Sequence, residues 1–211
     1  MRIAVATLVV GDDYSRVVQP ATQSKIDYCN IHGYDPIIGL TSDSTRPVPW
    51  SKIPLLQRVL PEYDFVFFSD ADTLVADYDR RIENTFLEPL GTDKHISIAM
   101  DPYANLNTGN FLLRNDRWTS NLLTKIWNQI QFIDNSSWEQ RSFEHLYETD
   151  SEVRERTSVL PNDTCRLISY PNHPSGANPD SFLVHLSLVR DMDELGRLVR
   201  LHYKPRPVVT S

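Results

Sequence analysis

YDFVFFSDADTLV, residues 63–75, changes character in its middle. Phe65 to Phe68 form an unbroken apolar run, and Ser69, Asp70, Asp72 and Thr73 interrupt it. A continuous aromatic and β-branched run is what a strand covered on both faces requires. In extended chain, residues two apart point to the same side, so the carboxylates of Asp70 and Asp72 are expected to converge. Without a cation such a pair repels and one carboxyl is pushed up in pKa. The stretch therefore admits three readings: a grip on a divalent metal that holds a diphosphate, a nucleophile paired with a general acid, or a polar strand end with no chemistry.

Upstream, IAVATLVV (residues 3–10) is a second both-faces-buried run, DDYSRVVQPATQSKIDYCNIHG (12–33) reads as a helix ending at Gly33, and DPIIGL (35–40) is a short strand. TSDSTRPVPW is a turn-rich loop, and SKIPLLQRVLP (51–61) is a helix with Ser51 as its cap and Pro54 in its first turn. This β-α-β-α-β order predicts parallel strands with right-handed crossovers and ligands beyond the strand C-termini. Thr7–Gly11 and Asp70–Asp72 then share one rim.

Downstream, HISIAMD (95–101) is a strand, and NTGNFLLRN (107–115) is expected to begin with a turn and run into a strand. WTSNLLTKIWNQI, SWEQRSFEHLYETD and DMDELGRLVRLHY read as helices. RLISYPNHPSGANPDSFLVHL holds a Pro/Gly/Asn-rich loop between short strands. KPRPVVTS (204–211) reads as a linker, leaving room for further domains. The expected organisation is one α/β catalytic domain, with residues 1–100 as the nucleotide half, 101–204 as the acceptor half and a short tail.

At 211 residues with 40% hydrophobic and 23% charged content, the chain can bury a substantial core. Its net charge of −7 argues against nucleic acid or anionic membrane as a partner. Cys29 and Cys165 match no zinc spacing and read as buried free thiols of a reducing compartment. The first ten residues read as a strand rather than a signal peptide, and no run suits a membrane span, so a cytoplasmic location is expected.

The run ending in DxDxT resembles the opening motif of haloacid-dehalogenase-type phosphatases, where the first aspartate attacks phosphorus. There it usually closes the first strand, whereas a complete β-α-β-α unit precedes it here, and the acids of RDMDE (190–194) fall in a predicted helix. WSKIPLLQRVLPEYDFVFFSDADTLV (50–75) instead resembles the donor-binding core of metal-dependent GT-A glycosyltransferases. LNTGNFLLRNDRW (106–118), WEQRSF (138–143), ISYPN (168–172) and SFLVHL (181–186) resemble, in order, elements of glycosyltransferase family 34, the galactosyl- and xylosyltransferases. Family 8, the glycogenin-like group, shares DADTLV and the Asn-x-Gly element.

The resemblance implies a GT-A fold, a Rossmann-like mixed sheet flanked by helices, with a smaller acceptor-side part. It also implies transfer of a hexose or deoxyhexose from a UDP-sugar to an oligosaccharide or glycoprotein glycan, with retained anomeric configuration. Asp72 would ligate Mn²⁺ or Mg²⁺, Asp70 the metal or the donor ribose, and His185 would complete the metal set, with His202 of LHYKP as rival. On the donor side would lie Thr7, Leu8 and Val9 by their backbone, Tyr14 stacked on the base, Lys52, Ser69, Ala71, and Arg190 where the family has Lys. Asn107, Thr108, Gly109 and Asn110 would line the sugar and acceptor side with Asp101. Glu139 and Gln140 would face the donor sugar, and an inverting enzyme would take Glu139 or Asp101 as its base. A binding module with no turnover, or the phosphatase, is the alternative.

Overall fold

A computed structural model describes residues 1–161, 166–173 and 178–205. Cys165, part of the loop after Tyr170 and the end of the linker-like tail lie outside these residues.

Strands β1 (Ile3–Leu8), β2 (Asp35–Gly39) and β3 (Phe65–Ser69) lie parallel, joined by α1 (Asp12–His32) and α2 (Lys52–Val59). The sheet continues through β6 (Leu106–Arg114), antiparallel to β3, then β5 (Ile96–Met100) and β7 (Thr157–Leu160), giving the order β2-β1-β3-β6-β5-β7. The strand at Thr157–Leu160 follows a short helix and carries no motif that marks it in the sequence.

Alternation divides the two runs between two cores. Ile3, Val5, Phe65 and Phe67 pack on one face with Tyr28 and Cys29 of α1 and with Ile82, Phe86 and Leu90. Ala4, Ala6, Val66 and Phe68 pack on the other with Trp50, Leu56, Leu122 and Phe143. That second face is covered by α2, α3 (Arg117–Trp127) and α4 (Trp138–Thr149). Burial on both sides is why both runs are apolar throughout.

α1 ends where the sequence indicates: Gly33 takes a left-handed conformation with φ 72°, and its N–H donates to the Cys29 carbonyl. Ser51 does not cap α2. The residues before that helix form a 3₁₀ turn, and the Ser51 hydroxyl accepts the Asp43 N–H at 2.8 Å instead.

A second sheet, in the order β4-β9-β8, joins Thr73–Val75 (β4), Leu183–His185 (β9) and Ile168–Ser169 (β8). β4 and β9 pair antiparallel with Thr73 opposite His185. Leu74 and Val184 from these strands pack with Val18 of α1 and with Leu195, Leu198 and Val199 of the last helix, α6 (Met192–His202). A short helix, α5 (Ser151–Glu155), precedes β7.

Candidate active site

The aspartate pair does not lie in extended strand. β3 stops at Ser69, and the Thr73 N–H donates to the Asp70 carbonyl at 3.1 Å, so Asp70–Thr73 is a turn that carries the chain from the large sheet into the small one. The carboxylates converge through this turn rather than through the strand period. The Asp70 N–H donates to Gly109 O at 2.7 Å, and Asp72 O accepts from Leu186 N at 3.1 Å, fixing the turn to β6 and β9.

His185 Nε2 lies 3.4 Å from Asp72 Oδ1 and 3.7 Å from Asp70 Oδ2. One ligand atom from each of the three falls within 4.8 Å of the others. Two carboxylate oxygens and one imidazole nitrogen suit Mn²⁺, and Mg²⁺ with added oxygen ligands. The chemistry of the donor set thus fits the expected ion. His202 sits elsewhere, half-buried in the last turn of α6.

The expected turn in NTGN is extended chain: Leu106 through Arg114 is one strand. Gly109 is needed there for proximity, not for turning. A Cβ on it would stand 2.5 Å from Asp70 Oδ2, 2.6 Å from His185 Cε1 and 2.8 Å from Asn107 Oδ1. Asn107 and Asn110 flank it as supports of His185. The Asn107 side-chain amide donates toward His185 Nδ1 at 3.2 Å and also bonds the Tyr170 hydroxyl, while its Oδ1 accepts the Gly109 N–H at 2.8 Å. Asn110 is buried, its amide toward His185 Nδ1 at 3.3 Å and Thr73 Oγ1 at 3.2 Å, its Oδ1 accepting from Ser69 Oγ at 2.9 Å. Two side-chain amides thus stand at Nδ1 and fix the ring with Nε2 on the side of the aspartates.

Lys52 is buried at the start of α2 and ties the site together. Its Nζ lies 2.6 Å from Glu139 Oε1, 2.8 Å from the Thr108 carbonyl and 3.3 Å from Asp70 Oδ1. Burial opposes its charge, yet Asp70 and Glu139 hold it above the usual lysine value. Burial, only partly offset by Lys52, keeps the Glu139 carboxyl above the usual glutamate range. Glu139 Oε2 is buried without a hydrogen-bond partner. For Asp72, burial is outweighed by His185 and by Lys25, and the group is held below the usual carboxylate range.

Lys25 is a residue that sequence reasoning misses. On a helix a lone lysine reads as solvated, but this one is buried, and its Nζ donates to the Thr73 carbonyl at 2.5 Å beneath the aspartate turn. Burial pushes it down to about 8 despite Asp72 and Asp70 nearby.

A cavity of about 470 Å³ opens over the triad, a volume in the ordinary range for small-molecule sites. Of the residues picked out in the sequence, Leu8, Tyr14, Lys52, Asp70, Ala71, Asp72, Asp101, Asn107, Thr108, Gly109, Glu139, Gln140 and His185 line it. Thr7, Val9, Ser69 and Asn110 are buried behind it, and Arg190 is exposed between β9 and α6, outside its walls. Tyr14 is half-buried at the mouth, where burial and then Asp72 raise its hydroxyl above the usual tyrosine range. Asp101 is occupied locally: its carboxylate accepts the Tyr103 N–H, the Asn105 N–H and the Asn105 side-chain amide at 2.8, 2.9 and 3.1 Å.

With this geometry in view, the sequence matches the galactosyl transferase GMA12/MNN10 family over residues 3–98 and 90–194, nearly the whole chain. The chain belongs to that family. Probable glycosyltransferase 2 of rice (Oryza sativa subsp. indica) is 34% identical over 128 residues, covering 54% of this chain and 25% of the rice protein. Xyloglucan 6-xylosyltransferase 1 of Arabidopsis thaliana is 31% identical over 128 residues, with 54% and 26% covered. The chain thus spans about a quarter of the length of these curated relatives.

Among solved structures, a glycosyltransferase involved in glycosylation of the major capsid of PBCV-1 superposes with a TM-score of 0.76 at 13% identity, covering 95% of this chain and 100% of the other. A Drosophila β1,4-galactosyltransferase 7 variant, crystallised with manganese, UDP-Gal and xylobiose, gives 0.51 at 10% identity, with 100% and 78% covered. The fold of this family member is GT-A, as its sequence implies. Among the described residues no helix is long and apolar enough to cross a membrane.

Proposed function

We propose that the chain transfers a hexose or deoxyhexose from a UDP-sugar to a glycan hydroxyl, with Mn²⁺ or Mg²⁺ on Asp70, Asp72 and His185 and with retention of configuration. The observation that carries this reading is the convergence of the three ligand atoms at the C-terminal rim of the parallel strands, inside a cavity walled by Lys52 and Glu139. That rim is where open α/β sheets bind nucleotides. Family membership supports transferase chemistry, and the galactosyltransferase crystallised with manganese and UDP-Gal supports the metal and the donor.

Bound on this triad, the cation would offset the negative charge that the departing diphosphate accumulates. The chain's own residues do the positioning. Lys52 holds Asp70 and Glu139 in place by direct contacts, and Asn107 and Asn110 orient His185. Glu139 Oε2, buried and unpaired, is the acceptor for a sugar hydroxyl. In a front-face displacement the leaving phosphate oxygen takes the acceptor proton, so retention needs no side-chain base and depends on positioning.

The test is release of UDP from UDP-glucose, UDP-galactose, UDP-xylose and UDP-rhamnose with Mn²⁺, with and without EDTA, and NMR of the product's anomeric centre. EDTA and Asp72→Ala should each abolish turnover. Full activity of Asp72→Ala would overturn the assignment. Inorganic phosphate released from a phosphomonoester would point to the phosphatase, and UDP binding without turnover to a binding module.

A further inference from the structure

Four non-glycine residues among those described have positive φ; Trp138 (46°) and Leu188 (68°) line the cavity, and Ala104 (63°) lies between its lining residues Tyr103 and Asn105. A left-handed non-glycine residue is strained and persists only where the surroundings enforce it. Here the strain accompanies large apolar side chains kept out of the core. Trp138 is 39% exposed, Leu188 71%, and Tyr103, next to Ala104, 61%. All three line the cavity whose floor carries the aspartate–histidine triad. They come from three separate segments: the β5–β6 connection, the start of α4, and the chain between β9 and α6.

We propose that Tyr103, Trp138 and Leu188 form a platform that binds a neutral oligosaccharide, the acceptor, by its apolar sugar faces. The proposal rests on the transferase reading and adds to it the residues that seat the acceptor. The chemistry at the mouth selects this ligand. Lys52 is already engaged by Glu139 and Asp70, and the Asp101 carboxylate is consumed by its own turn. Among the described residues that line the cavity, Lys52 is the one lysine or arginine, so the wall offers no spare ammonium or guanidinium to recruit an anionic ligand. Between the apolar residues the wall carries Ser137, Gln140, Asn172 and Ser187, which are neutral donors and acceptors.

Aromatic faces spaced among neutral hydrogen-bonding groups match a pyranose, which offers C–H groups on its face and hydroxyls at its edge. A lipid would need a continuous apolar patch instead. The platform is pre-set. The Tyr103 ring stands edge-on to His173 with centroids 4.6 Å apart, and the turn before Trp138 is held by Asn135, whose Oδ1 accepts the Ser137 N–H and whose carbonyl accepts the Trp138 N–H.

The experiment is an array of neutral and acidic oligosaccharides probed with the wild-type protein saturated with UDP and Mn²⁺, alongside Trp138→Ala, Tyr103→Ala and Trp138→Phe. The wild type should retain at least one neutral oligosaccharide. Each alanine variant should bind it about tenfold or more weakly, and Trp138→Phe should recover to within about threefold by keeping an aromatic face. Calorimetry of UDP with Mn²⁺ confirms that the variants are folded. Binding of only acidic glycans, of no glycan, or undiminished binding by both alanine variants overturns the platform. Failure of the wild type to bind UDP with Mn²⁺ counts against the transferase reading, and the array is scored separately.

Discussion

Lys52 Nζ lies 3.3 Å from Asp70 Oδ1, so one arm of the aspartate pair is paired with a buried cation inside the protein itself. The same ammonium reaches Glu139 at 2.6 Å, which makes it the hub of two carboxylates, Glu139 buried and Asp70 partly exposed to the cavity.

Removing that hub should cost about 3–5 kcal/mol, because a buried carboxylate is left without compensation. Lys52→Met is therefore expected to unfold at markedly lower urea concentration at pH 7. Glu139 is already raised above its ordinary value, and without Lys52 it rises further. A carboxyl whose folded pKa exceeds its unfolded one loses stability as pH rises, so the deficit should shrink on going from pH 7 towards pH 5. Adding Glu139→Gln should recover much of it. Urea titrations of the wild type, the single variant and the double variant at both pH values check this.

Gly109→Ala tests the close approach of β6 to the triad. The new methyl would meet Asp70 Oδ2, His185 Cε1 and Asn107 Oδ1, all inside normal contact distance. Two of these atoms end movable side chains, so the fold should survive at a cost of about 1–3 kcal/mol. The proposed metal set would be pushed apart, and Mn²⁺ affinity, read by electron paramagnetic resonance of the free ion, should fall about tenfold or more.

Asn110→Leu removes a group that touches His185 but not the cavity. An imidazole that gives Nε2 to a cation must carry its proton on Nδ1, and Asn110 can meet it by turning its amide, since the hydroxyls of Ser69 and Thr73 can each donate or accept. Mn²⁺ affinity is expected to drop about 10–100-fold, the usual cost of losing such a support. UDP affinity without metal should change far less, and calorimetry separates the two.

Lys25 has a distinct pH signature. Its pKa falls from 10.5 to about 8 on folding, so between those values the unfolded chain holds more protons than the native one. Stability should therefore rise with pH across that window, by on the order of 3 kcal/mol from this residue. Lys25→Met should lack that rise, and the difference between the two proteins isolates it from the tyrosines that titrate at higher pH.

Much of this was readable in the sequence because it depends on short-range pattern. The two both-faces-buried runs, the Gly33 helix stop and the strand-end position of the DAD motif all follow from local chemistry. The family resemblance then supplied His185, which no spacing rule ties to Asp72. What stayed hidden was long-range or conformational. The turn at Asp70–Thr73 exists because β4 leaves for another sheet, and only tertiary structure shows that. NTGN looks like a turn by composition, yet its glycine serves close packing within a strand. Lys25 has no sequence signal, since burial of its ammonium depends on where β4 lies. Ser51 resembles a cap until a 3₁₀ turn places its hydroxyl beside Asp43.

The pairing of Thr73 with His185 across β4 and β9 also bears on how the protein is made. The two ends of the triad are separated by roughly half the chain, and the small sheet is what brings them together. A ribosome-bound fragment that stops short of β9 has both aspartates and no histidine beside them. On the proposed metal role, ion capture by the complete triad would await this strand, and full metal affinity would report that synthesis of the domain has passed it.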